Sequence, residues 1–141
     1  MMKKQSNSSS RSPRLPALVL SHPDHERLAN LATAALDRIP DVAEELLAEL
    51  DRARVVPIAR VPATAVRMGS KVTYEAGGTA RTVTLVYPED ADIAAARVSV
   101  MTPIGAALIG LSEGQSICWT ARDGRRHELK VIQVQPPEGK T

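Results

Sequence analysis

The sequence predicts an α+β fold: a short N-terminal antiparallel helical hairpin followed by a mostly antiparallel β-sheet domain that carries one short helix. Three observations lead there. The runs "SHPDHERLANLATAALDR" and "DVAEELLAELDRAR" repeat apolar residues at helical spacing. Farther on, short alternating runs flank Gly77-Gly78 and Asp123-Gly124, pairs suited to tight β-turns. Between them, "MTPIGAALIG" carries the start and stop signals of a brief helix.

The elements can be justified in order. Residues 1–16 are basic and Ser-rich and are expected to be a disordered tail. "LPALVL" is apolar but too brief for a helix. Ser21 with Asp24 resembles a capping box, and Pro23 is tolerable in a first turn, so a helix begins near Ser21. Its apolar stripe is Leu28, Leu31, Ala32 and Ala35. Ile39-Pro40 interrupts it, and Asp41 with Glu44 repeats the cap pattern for a second helix whose stripe is Val42, Leu46, Leu47, Leu50 and Ala53. Two stripes this close in sequence bury each other best when their helices lie antiparallel, which makes residues 17–54 a hairpin.

"VVPIARVPATAV" has two prolines and no helical period, so it reads as an extended linker opening a second region, residues 55–141. There, Gly77-Gly78 joins two strands, the second with Val83, Leu85 and Tyr87 on one face, and "RVSVM" offers another strand. Thr102 as N-cap, Pro103 as first residue and Gly110 as left-handed stop give about two turns of helix over 103–109. Ile104, Ala107 and Leu108 would face the sheet. Asp123-Gly124 then joins Ile117–Thr120 to a run through Leu129, Val131 and Val134.

Composition limits what such a chain can be. Its 141 residues suffice for one ordinary domain or two very small ones. Hydrophobic residues make up 43% and charged residues 24%, yet there is no Phe, one Trp and two Tyr, so the core is aliphatic and base-stacking platforms are scarce. The net charge of +2 hides a basic tail (four bases, no acid), an acidic hairpin (eight acids, four bases) and a mildly basic remainder (ten bases, eight acids). Four tail charges supply only weak, salt-sensitive attraction to nucleic acid. Cys118 stands alone, excluding an intrachain disulfide, and no apolar run reaches the roughly 20 residues of a membrane span. A cytoplasmic location is expected.

Candidate chemistry is sparse. His22, Asp24, His25 and Glu26 could share a helix face, but a transition metal needs three or four convergent ligands with outer support, so solvation of a helix start is the stronger reading. Cys118 and His127 could pair across a hairpin as nucleophile and base, against which Cys118 is better read as a small buried hydrophobe beside Trp119. Arg122, Arg125 and Arg126 gather at the hairpin tip and read as solvated turn residues. Asp37 and Asp41 flank the helical bend and could hold a divalent ion, although Asp41 is already explained as a cap. No Walker loop, dinucleotide fingerprint or serine elbow is present, and no cofactor is expected.

"RTVTLVYPEDAD", "VSVMTPIGAALIGLSEGQSICW" and "DGRRHELKVIQV", in that order, resemble the C-terminal domain of the Gre transcript-cleavage factors of bacterial RNA polymerase. Within that superfamily they look most like the Rnk-type regulators of nucleoside diphosphate kinase, with the helical hairpin as a shortened coiled-coil arm. Where Ala106 and Leu111 stand, Gre factors characteristically carry a basic residue and a lysine. The resemblance implies an FKBP-like C-terminal fold without prolyl isomerase activity. It also implies a non-enzymatic regulator that binds core RNA polymerase near the secondary channel and competes with Gre factors, with no membrane, small-molecule substrate or cofactor and only indirect nucleic-acid contact. The expected partner-binding residues are Asp37 and Asp41 on the arm and Thr102, Pro103, Ile104, Gly105 and Leu111 in the C-terminal region. Two alternatives stay open: residual transcript cleavage through the hairpin acids, or a binding module for nucleoside diphosphate kinase or another protein. A helix of about 15 residues rises only about 22 Å, too little for a deep probe.

Overall fold

The computed structural model describes residues 17–120 and 124–137, apart from the side chains of Trp119 and Thr120. The expected tail, Arg122 and Asp123 lie outside the described residues. Helices α1 (His22–Ala34) and α2 (Pro40–Arg52) are joined by five residues. His25 Nε2, in the first turns of α1, lies 3.0 Å from the Leu50 carbonyl near the end of α2, so the helices run side by side with opposite ends adjoining. Leu28, Ala32 and Ala35 are buried with Val42, Ala43, Leu46 and Leu50; of the expected stripes Leu31, Leu47 and Ala53 are only half-buried, and Ala43 joins the buried face.

The two helices start differently. Ser21 Oγ accepts the Asp24 N–H at 3.2 Å, half of the capping box. The expected cap of α2 is corrected: Ile39 holds the N-cap position without a side-chain bond, Pro40 opens the helix and Asp41 lies inside its first turn. Proline supplies the helical φ at the first position, where its missing N–H costs no internal bond, and Asp41 inside the first turn contributes negative charge near the helix start.

The linker reading is also corrected. β2 (Arg54–Val56) pairs in parallel with β1 (Val19–Ser21), formed by the end of the apolar run before α1. A 3-10 turn at Ile58–Arg60 follows. The hairpin is therefore closed at its base by a two-stranded sheet.

The second sheet has five strands in the order β5-β4-β3-β7-β6. β3 (Lys71–Ala76) and β4 (Thr79–Val86) form the Gly77-Gly78 hairpin, with both glycines at positive φ. β6 (Ser116–Thr120) and β7 (Arg126–Gln135) are antiparallel, as are β3 and β7. β5 (Arg97–Ser99) runs parallel to β4, reached through 3-10 turns at Pro88–Asp90 and Ile93–Ala95. The register of β7 shifts between Gln133 and Val131, leaving Ile132 as the extra residue of a bulge. Glu113 Oε2 accepts the Val134 N–H there at 2.8 Å. This explains why the apolar positions step from Leu129 and Val131 to Val134.

α3 (Pro103–Leu108) packs between the hairpin and the sheet. Thr102 Oγ1 accepts the Gly105 N–H at 3.0 Å and donates to the Ser99 carbonyl at 2.7 Å, while Ser99 Oγ accepts the Met101 N–H at 2.9 Å. Gly105, Ala106, Ala107 and Leu108 are buried, whereas Ile104 is half-buried at the margin, a change from the expected inward trio. Gly110, with φ +83°, turns the chain out of the helix. One apolar cluster runs unbroken from Leu28 and Leu46 through Leu108, Ile109 and Leu111 to Val72, Leu85 and Val131.

A Cβ on Gly105 would overlap the Ser99 carbonyl oxygen and come within 2.7 Å of Val100 Cα, both backbone atoms. Gly105→Ala should therefore cost about 3 kcal/mol, at the upper end for overpacking, because backbone cannot yield as a side chain can. Urea unfolding with unchanged slope and a lowered midpoint is the expected result.

Candidate functional site

The sequence-predicted residues fall at two separate places. Asp37 and Asp41 are both exposed where α1 turns into α2. The second group lies at α3: Thr102, Pro103 and Ile104 are half-buried, and Gly105 and Leu111 are buried. Thr102 is committed to capping, and Leu111 is 0% exposed, so the last two residues can shape a docking edge but offer it no side-chain area. Ala106 is likewise 0% exposed. The two positions at which the resemblance marks a missing basic residue are thus occupied by closely packed apolar groups, where a charge would be buried without a partner.

Other candidates dissolve on geometry. In the β6–β7 ladder Cys118 lies opposite Glu128, and His127 lies opposite Trp119. Adjacent positions alternate faces, so Cys118 and His127 project from opposite sides of the sheet. Cys118 is exposed, correcting its reading as a buried hydrophobe; Ile117 fills the inward position. His25 is engaged with the Leu50 carbonyl while His22 is exposed, and among the described residues no three His, Cys, Asp or Glu side chains converge as metal ligands. Arg125 and Arg126 are exposed. No helix of the described residues is long and apolar enough to cross a membrane.

Sequence reasoning missed a polar latch between the first turns of α1 and the sheet. The Arg27 guanidinium lies 3.7 Å from the centre of the Tyr87 ring and bonds Glu89 Oε2 at 3.1 Å. Burial holds the Asp24 carboxyl above its ordinary value, opposed by the charge of Arg67, a bond from the Met68 N–H and the charge of Arg27. The Tyr87 phenol is pushed up to about 12, mainly by burial and then by the Asp24 charge. Its Oη is buried without a hydrogen-bond partner among the described residues. No local spacing signals this cluster, because Arg27 and Glu89 are 62 residues apart.

Beside the latch, Lys71, Thr84, Tyr87, Asp90, Arg97 and Pro137 line an open cleft of about 710 Å³. Its mixed charges and open side suit contact with a broad surface better than enclosure of a small ligand. One wall is the β4–β5 connection, whose tip carries the fully projecting Ile93.

Residues 61–136 match the family described as "Transcription elongation factor, GreA/GreB, C-term", and residues 16–56 match "Rnk N-terminus". The chain is 34% identical over 122 residues to the regulator of nucleoside diphosphate kinase of Escherichia coli K12, covering 85% of this chain and 90% of that protein. It is 38% identical over 93 residues to the transcription elongation factor GreA of Rhodospirillum rubrum, covering 64% of this chain and 59% of that one. Among solved structures, a GreA/GreB transcription elongation factor from Nitrosomonas europaea superposes with a TM-score of 0.68 at 34% identity, over 85% of this chain and 98% of the other.

The latch yields two predictions. The folded-state value of Asp24 lies above that of the unfolded chain, so the stability linked to it is full below the ordinary carboxylate range and is lost as pH rises through the folded value. Asp24→Asn should escape that loss and gain on wild type as pH increases from about 4 toward neutrality, in a series of urea midpoints. Tyr87→Phe removes a buried hydroxyl that lacks a partner and should leave stability within about 0.5 kcal/mol of wild type or raise it, by thermal melting.

With its C-terminal region matched to GreA/GreB, its helical region matched to the Rnk N-terminus and a relative at 34% identity along most of its length, the chain belongs to the Gre factor family, in its Rnk-type branch.

Proposed function

We propose that this chain is a non-enzymatic regulator that binds RNA polymerase near its secondary channel and competes there with Gre cleavage factors, acting in the cytoplasm. The E. coli relative's name links such proteins to nucleoside diphosphate kinase, which on this reading is a downstream effect of altered transcription. In this division of labour, residues 17–54 are the arm and residues 55–141 are an FKBP-like docking domain.

The observation that carries the reading is the length of the arm. Its helices have 13 residues each, a rise of about 20 Å at 1.5 Å per residue. Such an arm can stand at a channel entrance, with Asp37 and Asp41 exposed at its end, but is too short to carry those acids deep inside. Without that reach, occupancy excludes a longer-armed competitor and adds no chemistry. Support for the docking half comes from the GreA/GreB match over residues 61–136.

A second reading, residual cleavage, is favoured only by the exposure of Asp37 and Asp41 at the bend. Both are decided with core polymerase and stalled elongation complexes. The chain should co-elute with core enzyme, inhibit Gre-stimulated cleavage in a concentration-dependent way and stimulate none itself. Absence of binding at micromolar concentration would sink the proposal. Cleavage that is stimulated by wild type and lost in Asp37→Ala and Asp41→Ala would replace it with the second reading.

A further inference from the structure

Three large apolar side chains stand in the open among the described residues: Ile93 is 92% exposed, Ile58 53% and Ile132 47%. A single exposed isoleucine needs no explanation by itself. Ile132 has a structural one as the extra residue of the β7 bulge. Ile93 differs because the loop bearing it is built to hold it outward.

The loop is closed by reciprocal backbone bonds, Asp92 N–H to the Arg97 carbonyl and Arg97 N–H to the Asp92 carbonyl, each 2.9 Å. Inside it, Asp92 Oδ1 accepts the Ala94 N–H at 3.1 Å, and the Ala96 N–H donates to the Ile93 carbonyl at 3.0 Å. Ala96 holds φ +58°, and it is the one residue other than glycine with positive φ among the described residues. A connection needed only to link β4 and β5 would place glycine or asparagine at that position and a polar residue at the tip. Here strain is accepted, the loop is locked, and its tip is the most exposed large apolar side chain among the described residues.

The surroundings specify what would cover it. Ala91, Ala94, Ala95 and Ala96 are exposed and small, so a partner surface can approach the loop backbone closely. Asp90 and Asp92 flank the tip, while Glu89 is already paired with Arg27. That pair also sets the loop beside the base of the arm.

We infer that Ile93 is a preorganised apolar anchor by which this chain docks on RNA polymerase, entering an apolar pocket whose rim carries Lys or Arg side chains facing Asp90 and Asp92. The inference rests on the polymerase reading above and deepens it. A buried aliphatic tip supplies the desolvated centre of the contact, and the two acids supply orientation and a favourable rim. The locked loop lowers the ordering cost of binding. A partner seated on this wall also meets the cleft lined by Tyr87 and Arg97.

The test is a binding titration of the full chain against core polymerase, comparing wild type with Ile93→Ser, Asp90→Asn and the control Ile132→Ser. Ile93→Ser should weaken binding by about thirtyfold, the scale of a hot-spot truncation, with an unchanged thermal midpoint. Asp90→Asn should weaken it about twofold to threefold at low salt and less at high salt. Ile132→Ser should bind as wild type does. If wild type fails to bind, the polymerase reading falls and this inference with it. If wild type and Ile93→Ser bind equally, or Ile132→Ser is weakened as much, the inference alone is overturned. A wild-type dimer lost in Ile93→Ser, with polymerase binding intact, would overturn it in favour of a second copy.

Discussion

The close approach of α3 to the backbone before it is the constraint on which the architecture depends. Gly105 lies where no Cβ fits against Ser99 and Val100, and that contact brings the helix down between the helical hairpin and the five-stranded sheet. The helix exit then does a second job. Gly110 accepts the Val19 N–H at 3.1 Å and donates to the Val66 carbonyl at 3.1 Å, and the Leu111 carbonyl accepts the Val66 N–H at 2.7 Å. Through Val19, this short segment holds β1, and β1 in turn holds β2. Leu18 Cβ, just before β1, sits 3.1 Å from where a Gly110 Cβ would be, and Gly110 also holds a positive φ that favours glycine.

The hairpin is therefore anchored by packing first and by charge second. Leu18, Leu20, Leu28, Leu46 and Leu50 are each at most 3% exposed, and burying such a side chain stabilises by about 1.5–3 kcal/mol. The Arg27–Glu89 pair, with both side chains more than half exposed, falls in the class that contributes about 0–1 kcal/mol. The apolar seam supplies the strength, and the latch adds a small term at its exposed margin. This ranking fits the composition: with no Phe, cohesion comes from many small aliphatic contacts distributed across both regions.

Local order was legible in the sequence where a residue acts on its near neighbours. The Ser21 cap, the stripes of α1 and α2, the Gly77-Gly78 turn, and the Thr102, Pro103 and Gly110 punctuation all operate within a few residues. What escaped depends on long separations or on local competition. β1 and β2 are three residues each, too short for a period, and their pairing spans the entire hairpin. Asp41 had the chemistry of a cap, but Pro40 started the helix two residues earlier than that cap implies. Cys118 lost the inward position to Ile117 because strand alternation allows only one of two neighbours to face the core. Of the proposed contact residues, the bend acids were visible as charges beside a helix break. The proposed anchor Ile93 also has a signal in the sequence, a lone large apolar residue in "PEDADIAAA", where neither helical nor strand alternation requires one.

Anchoring changes what a short arm can contribute. A helical pair about 20 Å long is tied at its base to the sheet domain by β1, β2 and the Gly110 segment. Any surface touched by Asp37 and Asp41 is then met at a geometry dictated by the same body that presents the β4–β5 loop. Two modest contacts made by one folded unit incur the loss of translational and rotational freedom once, so the second adds to the first as in a bivalent ligand. The buried state of Ala106 and Leu111 belongs to the same logic. Apolar residues at those positions extend the seam between the helical pair and the sheet, where a charge would have to be buried.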